Sequence, residues 1–145
     1  MIPYTLIPAV LGILGLGSAW LVYLYVRNSS EGDGKVKEIA DEIHSGAMVF
    51  MSREYRPLSI FAAICALALY LTLGWQTCVA FVLGAFCSGT AGYIGMFVSV
   101  RANVRTTQAA TESLDKALDI SFKSGAITGF LVVGLGLLGL IGYYW

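Results

Sequence analysis

The chain has 145 residues, of which 57% are hydrophobic and only 12% are charged. In soluble domains about a quarter of the residues are charged, so this composition predicts a membrane protein. The net charge is zero, which disfavours nucleic acid as a partner.

Long stretches without Asp, Glu, Lys or Arg predict the membrane-spanning segments. They cover residues 1–26, 57–100 and 124–145. A helix needs about 20 apolar residues to cross a hydrocarbon core of about 30 Å, so the middle stretch has room for two helices. A break at Gly74-Trp75-Gln76-Thr77 divides it. We therefore predict an all-α membrane protein with four transmembrane helices, at 3–26, 57–73, 77–100 and 125–145.

The charged residues lie in two blocks, 27–56 and 101–123, which hold all nine lysines and arginines. The positive-inside rule predicts that both blocks lie in the cytoplasm and both chain ends lie outside. Apolar residues recur three and four positions apart from Val36 to Phe50. This period predicts a helical extension, so the second helix is expected to begin near residue 35 in the cytoplasm.

Small residues recur along the predicted helices. Helices in lipid associate through close backbone approach, which small residues permit. We therefore expect a packing surface made of Gly84, Ser88, Gly89, Gly92, Gly95, Gly125 and Gly129. The first helix carries further glycines, and so does the end of the fourth. An alternative interpretation is that glycine is simply common in membrane helices. Four helices offer little room to bury every small face, so we expect more partner helices.

Few residues suggest chemistry. The predicted spans contain no ionisable acidic or basic side chain, which disfavours an ion pathway through this chain alone. Asp115 and Asp119 lie four positions apart and are candidate Mg²⁺ ligands, although the same spacing is common on wet helices. His44 is interpreted as a surface residue. The three cysteines are interpreted as free thiols in apolar surroundings: Cys65, Cys78 and Cys87.

Three stretches resemble the membrane-bound, ion-pumping inorganic pyrophosphatases. They are SGAMVFMSREYRPLSIF (Ser45–Phe61), FVLGAFCSGTAGYIGMFVSVRANVRTTQAA (Phe81–Ala110) and SLDKALDISFKSGAITGFLVVGLGLLGL (Ser113–Leu140). The combination of SGAM and REY with GYIGM and RANVRT is highly specific. The resemblance covers roughly Ile39 to Leu140.

The resemblance implies a homodimeric pump with about sixteen transmembrane helices in each subunit. Such a pump hydrolyses pyrophosphate at a cytoplasm-facing site of aspartates, lysines and Mg²⁺, and moves H⁺ or Na⁺. The family's aspartate-rich motifs and ion gate belong to helices after the fourth. No catalytic residue is therefore assigned to this chain, which is expected to be an N-terminal scaffold portion of a pump and to bind no cofactor by itself.

Five residues are expected to mark the cytoplasmic boundary: Arg53, Arg56, Arg101, Asn103 and Arg105. We expect the arginines of the third helix to anchor its end by bonding to carbonyls or acidic residues of neighbouring loops. A second hypothesis is that Arg101 or Arg105 attracts an anionic substrate. For the chain as a whole, the alternative is a stand-alone four-helix membrane protein with an assembly or structural role.

Overall fold

The computed structural model describes residues 2–32 and 34–144, with side chains described from Leu6 onward. The described chain folds into four helices: α1 (Ile2–Arg27), α2 (Lys35–Leu73), α3 (Trp75–Ala110) and α4 (Leu114–Tyr144). All four are long and apolar enough to cross a membrane. The all-α prediction is confirmed. Trp145, the last residue of the predicted fourth span, lies outside the described residues.

The connection between α2 and α3 is shorter than the sequence suggests. Gly74 alone separates the two helices, and Trp75, Gln76 and Thr77 already belong to α3. Gly74 has φ 90° and ψ 174°, in a region that residues with a side chain rarely adopt. One glycine can therefore reverse the chain where we expected a turn of four residues.

The helices continue well beyond a membrane's thickness at one end. With 39 residues, α2 is about 58 Å long, roughly twice the hydrocarbon core. The charged residues of α2 all lie between Lys35 and Arg56, and the last part of α3 carries Arg101 and Arg105. We call this the charged end: it comprises the end of α1 at Arg27, the start of α2, the end of α3 and the start of α4.

The helices pack as an open row. Within the described residues, α4 packs along both α1 and α3, whereas α2 contacts α3 only. The core lies among α1, α3 and α4 and is rich in alanine, which lets these helices approach closely: Ala19, Val26, Val98, Ala102, Ala109, Ala117, Ile120 and Ile127. This arrangement leaves α2 at the edge.

One consequence is a large uncovered apolar surface on α2. No residue is buried in the apolar window that qualifies this helix as a membrane span. The exposed side chains include Leu58, Ile60, Phe61, Ile64, Leu67 and Leu71. Such a surface suits lipid or further helices rather than water.

Candidate functional site at the charged end and the helix crossings

Arg105 joins the end of α3 to the end of α1. Its Nε donates to the Ser29 carbonyl at 3.1 Å, and Nη2 donates to the Arg27 carbonyl at 3.3 Å. Nη2 also pairs with the Glu31 carboxylate. The last carbonyls of a helix lack intrahelical partners, and a cation near them interacts favourably with the helix dipole. Arg105 is only 7% exposed, so it acts as a buried clamp on α1.

Arg101 has a different environment from Arg105, although both lie on α3 one turn apart. It is exposed, and its guanidinium carbon lies 4.3 Å from the centre of the Phe97 ring. Its backbone carbonyl accepts a hydrogen bond of 3.1 Å from Arg105 Nη1. The stacking on Phe97 fixes the Arg101 head group near the charged end.

His44 is not the surface residue that we expected. It is half-buried, and its ring meets the edge of Phe97 with 5.6 Å between the ring centres. Its Nε2 is buried and has no hydrogen-bond partner among the described atoms. The expectation is wrong because α2 packs on α3 already at this level, before its apolar half begins.

The other predicted boundary residues make few contacts. Arg53, Arg56 and Asn103 are exposed. The carbonyl of Asn103 accepts a hydrogen bond of 2.9 Å from the Thr107 hydroxyl, which is a local contact within α3. The structure therefore brings together Arg105 and the end of α1, and it leaves Arg53 and Arg56 on the surface of α2.

The candidate metal ligands Asp115 and Asp119 do not form a ready cation site. Lys123 Nζ lies 2.6 Å from Asp119 Oδ2, and the Tyr25 hydroxyl donates to the same oxygen at 3.2 Å. A divalent cation would have to displace the lysine. Asp115 is exposed, and the described part of the chain holds no group of three metal-ligating side chains. Asp119 instead links α4 to Tyr25 of α1.

At the α2–α3 crossing, a tyrosine of α2 packs on two of the predicted glycines of α3. The Tyr55 hydroxyl donates to the Gly89 carbonyl at 2.7 Å. A Cβ added at Gly92 would lie 3.2 Å from the same hydroxyl oxygen. The Tyr55 ring also meets Tyr93 edge-on, with centroids 6.3 Å apart. Gly89 and Gly92 thus leave room for a tyrosine rather than for another backbone.

The α3–α4 crossing is tight at Gly95. This glycine is buried, and a Cβ added to it would lie 2.8 Å from Thr128 Cγ2. Real carbon atoms essentially never approach so closely without displacement. A second close approach follows further along, where a Cβ on Gly139 would lie 3.1 Å from Cys87 Sγ.

A close approach of two backbones joins α1 and α4, and the predicted packing surface did not include it. A Cβ added at Gly12 would lie 3.2 Å from the Gly134 carbonyl oxygen, and one added at Gly134 would lie 3.0 Å from the Gly12 carbonyl oxygen. Both glycines are buried. Their small size is visible in the sequence, but nothing in either helix says that they face each other.

The remaining predicted packing residues are not tightly packed, and Gly84 and Ser88 line an open cavity between α3 and α4. A Cβ added at Gly84, Gly125 or Gly129 would meet nothing within 4 Å. Ser88 is exposed. These positions are therefore available to lipid or to helices other than α1–α4.

Comparison with known proteins gives a consistent result. Residues 13–145 match the family model described as inorganic H⁺ pyrophosphatase. The chain is 43% identical over 118 residues to a putative K⁺-stimulated pyrophosphate-energized sodium pump of Clostridium tetani, covering 81% of this chain and 18% of that protein. It is 43% identical over 147 residues to K⁺-insensitive pyrophosphate-energized proton pump 2 of Moorella thermoacetica, covering 98% and 21%. A K⁺-insensitive proton pump of Methanosarcina mazei is 40% identical over 135 residues, covering 92% and 20%. The chain spans about a fifth of the length of these curated relatives.

Proposed function

Because this chain belongs to the inorganic H⁺ pyrophosphatase family, we propose that its four helices form a scaffold portion of a pyrophosphate-driven membrane pump. The resemblance inferred from the three sequence stretches is confirmed by the family match and by the relatives. The complete pump would hydrolyse inorganic pyrophosphate and move H⁺ or Na⁺ across the membrane, since its relatives are named as pumps for one ion or the other.

The observation that carries the scaffold role is the edge position of α2. It packs on α3 alone, and the rest of its apolar surface is uncovered within the described chain. In a pump of about sixteen helices, other helices of the same polypeptide would cover this surface and the open positions at Gly84, Gly125 and Gly129. The complete pump would be a homodimer, as the family resemblance implies.

The chemistry of the pump would lie in helices outside this chain. Mg²⁺ bound with pyrophosphate offsets phosphate charge and orients the attacking water in such reactions. Asp115 and Asp119 do not fit the role of holding that Mg²⁺. The Asp119 carboxylate is already paired with Lys123, and Asp115 is exposed without a second carboxylate free to share a cation. The residues of this chain would instead hold the surrounding helices in place.

Arg105 would serve this scaffold at the cytoplasmic boundary. Its bonds to the Arg27 carbonyl at the end of α1, to the Ser29 carbonyl just after it and to Glu31 support the anchoring hypothesis over direct attraction of substrate. A guanidinium that is buried and already paired adds little to the electrostatic potential felt by a distant anion. The exposed Arg101 contributes more to the positive electrostatic potential outside the protein.

The size of the native polypeptide tests the proposal. An antibody against the segment 27–37 should detect, in source membranes, a protein several times larger than 15.5 kDa. Vesicles from those membranes should accumulate H⁺ or Na⁺ when pyrophosphate is added, and a non-hydrolysable analogue should give no transport. A large band without such transport would overturn the pump assignment.

The second candidate is a stand-alone four-helix protein with an assembly or structural role. A band at 15.5 kDa would favour it. So would purified chain that stays monodisperse in detergent and unfolds cooperatively by itself. The open positions at Gly84, Gly125 and Gly129 speak against this candidate, since small residues in membrane helices permit the close approach of another helix.

A further inference from the structure

A groove with apolar walls runs along the junction of α1 and α3. Its volume is about 540 Å³, and its lining includes Leu16, Ala19, Trp20, Phe97, Val98 and Leu131. The groove is open on one side because α2 contacts α3 but not α1 within the described chain. Trp20 stands at its wall with 62% of its surface exposed.

At the charged end this groove meets a polar pocket of about 390 Å³. Tyr23 and Val98 line both cavities, so the two cavities adjoin at these residues. Arginines 27, 101 and 105 line the polar pocket, whereas Glu31 is the one carboxylate among its described lining residues. Because Arg105 already pairs with Glu31, the side chains of Arg27 and Arg101 give the pocket an excess of positive charge.

The groove and the polar pocket together match the depth of one leaflet of a bilayer. Along α1, the groove is lined from Leu16 to Tyr23 and the pocket from Tyr23 to Arg27, so the two together extend from Leu16 to Arg27. At 1.5 Å per residue this distance is about 16 Å, close to half of a hydrocarbon core of about 30 Å. A ligand that fills both cavities would be apolar over the inner part of one leaflet and anionic at the membrane boundary.

We propose that this groove is a binding site for one anionic phospholipid. Its acyl chain would lie against Leu16, Trp20 and Phe97, and its phosphate would accept hydrogen bonds from Arg101 and Arg27. A guanidinium suits phosphate oxygens because it offers paired donors in a fixed plane. The stacking of Arg101 on Phe97 holds that donor at the mouth of the groove. The proposal goes beyond the scaffold role and requires that the protein lies in a membrane and that no other helix of the polypeptide fills the groove.

Photo-crosslinking from position 20 tests the proposal directly. A benzophenone amino acid replaces Trp20 in the complete polypeptide that carries this sequence, and the protein is reconstituted in vesicles of equal parts phosphatidylglycerol and phosphatidylcholine. Mass spectrometry of the irradiated protein then counts the adducts of each lipid. Adducts of phosphatidylglycerol should exceed those of phosphatidylcholine by about fivefold, the preference expected from a cationic side chain near an anionic headgroup.

Variants of the two arginines separate a specific site from bulk lipid contact. Arg27→Gln together with Arg101→Gln should bring the ratio of the two adducts close to one, while Arg101→Lys alone should keep most of the preference. Arg53→Gln, on the exposed surface of α2, should leave the ratio unchanged. Equal adducts with both arginines present, or a preference that survives the double substitution, would overturn the proposal. A crosslink to a protein segment would also overturn it, since a helix would then occupy the groove.

Discussion

The hydroxyl of Tyr55 donates a hydrogen bond of 2.7 Å to the backbone carbonyl of Gly89, across the crossing of α2 and α3. A helix carbonyl has a second lone pair, so Gly89 can accept this bond without giving up its own helical bond. Since α2 contacts α3 alone, this bond is part of what holds the edge helix in place. It also explains why small residues line α3 at this level.

Removing that hydroxyl should loosen α2 by a modest amount. Tyr55→Phe deletes the bond and keeps the ring against Tyr93, so we expect a loss of about 0.5–1.5 kcal/mol in the free energy of unfolding, as for other hydrogen bonds between membrane helices. Tyr55→Leu also deletes the ring contact and should cost more. Tyr70→Phe, at an exposed position of the same helix, is the matched control. Denaturation in mixed micelles measures all three, and equal losses for Tyr55→Phe and Tyr70→Phe would contradict the interpretation.

A methyl group at Gly95 should disturb the α3–α4 crossing. Gly95→Ala places a Cβ 2.8 Å from Thr128 Cγ2, and a β-branched threonine has little rotamer freedom in a helix. We expect a loss of about 1–3 kcal/mol, typical of overpacking. Gly129→Ala, with nothing within 4 Å, should be close to neutral.

A double-mutant cycle identifies the cause of that loss. Thr128→Ala makes room at the crossing, so the pair Gly95→Ala and Thr128→Ala should be more stable than the sum of the single effects predicts. Strict additivity in thermal unfolding would mean that Gly95 matters for another reason.

The α1–α4 crossing should be still less tolerant of a side chain. At Gly134 an added Cβ would lie 3.0 Å from the Gly12 carbonyl oxygen, and a helix backbone cannot move aside as a flexible side chain can. Gly134→Ala should therefore reduce the amount of folded protein recovered from membranes by several-fold. Gly136→Ala, two residues away in open space, is the control. Similar recovery of both variants would show that the two helices separate easily.

Substitution of Arg105 tests whether this residue anchors the helix ends or attracts an anionic substrate. Arg105→Gln leaves the carbonyls of Arg27 and Ser29 and the Glu31 carboxylate without their partner, which should cost about 1–3 kcal/mol of stability. Arg105→Lys should be intermediate, because an ammonium cannot reach all these acceptors in the same geometry. Arg53→Gln serves as an exposed control.

Kinetics of the complete pump provide the second half of that test. With Arg105→Gln we expect less folded protein but an unchanged KM for pyrophosphate at low and high salt. A KM that rises at low salt and recovers toward the value of the unsubstituted pump at high salt would favour the attraction hypothesis, since screening acts on long-range fields.

Asp119 should prove to be a link between helices rather than a metal ligand. In the complete pump, Asp119→Asn should leave the Mg²⁺ concentration for half-maximal hydrolysis unchanged, because Lys123 already occupies the carboxylate. The variant should lose a small amount of stability through the contact with Tyr25. A several-fold shift in the Mg²⁺ dependence would restore the metal interpretation.

Much of the fold was predictable from the sequence for a simple physical reason. A charged side chain is costly inside lipid, so the gaps between charged residues outline the membrane segments in the linear order of the chain. The long helices follow, because a backbone in lipid must bond to itself. The extension of α2 into the charged block was also visible, since the apolar period of a helix is a local property.

Which side chains meet was decided only by the tertiary structure. Gly95, Gly125 and Gly129 look alike as small residues, yet one faces Thr128 and the other two face open space. Arg101 and Arg105 are one helical turn apart, yet only Arg105 reaches the end of α1 and is buried there. His44 changed from a surface residue to a half-buried one because α2 packs on α3 at its level. Composition and period describe one helix at a time, whereas the contact at each position depends on where a distant helix crosses it.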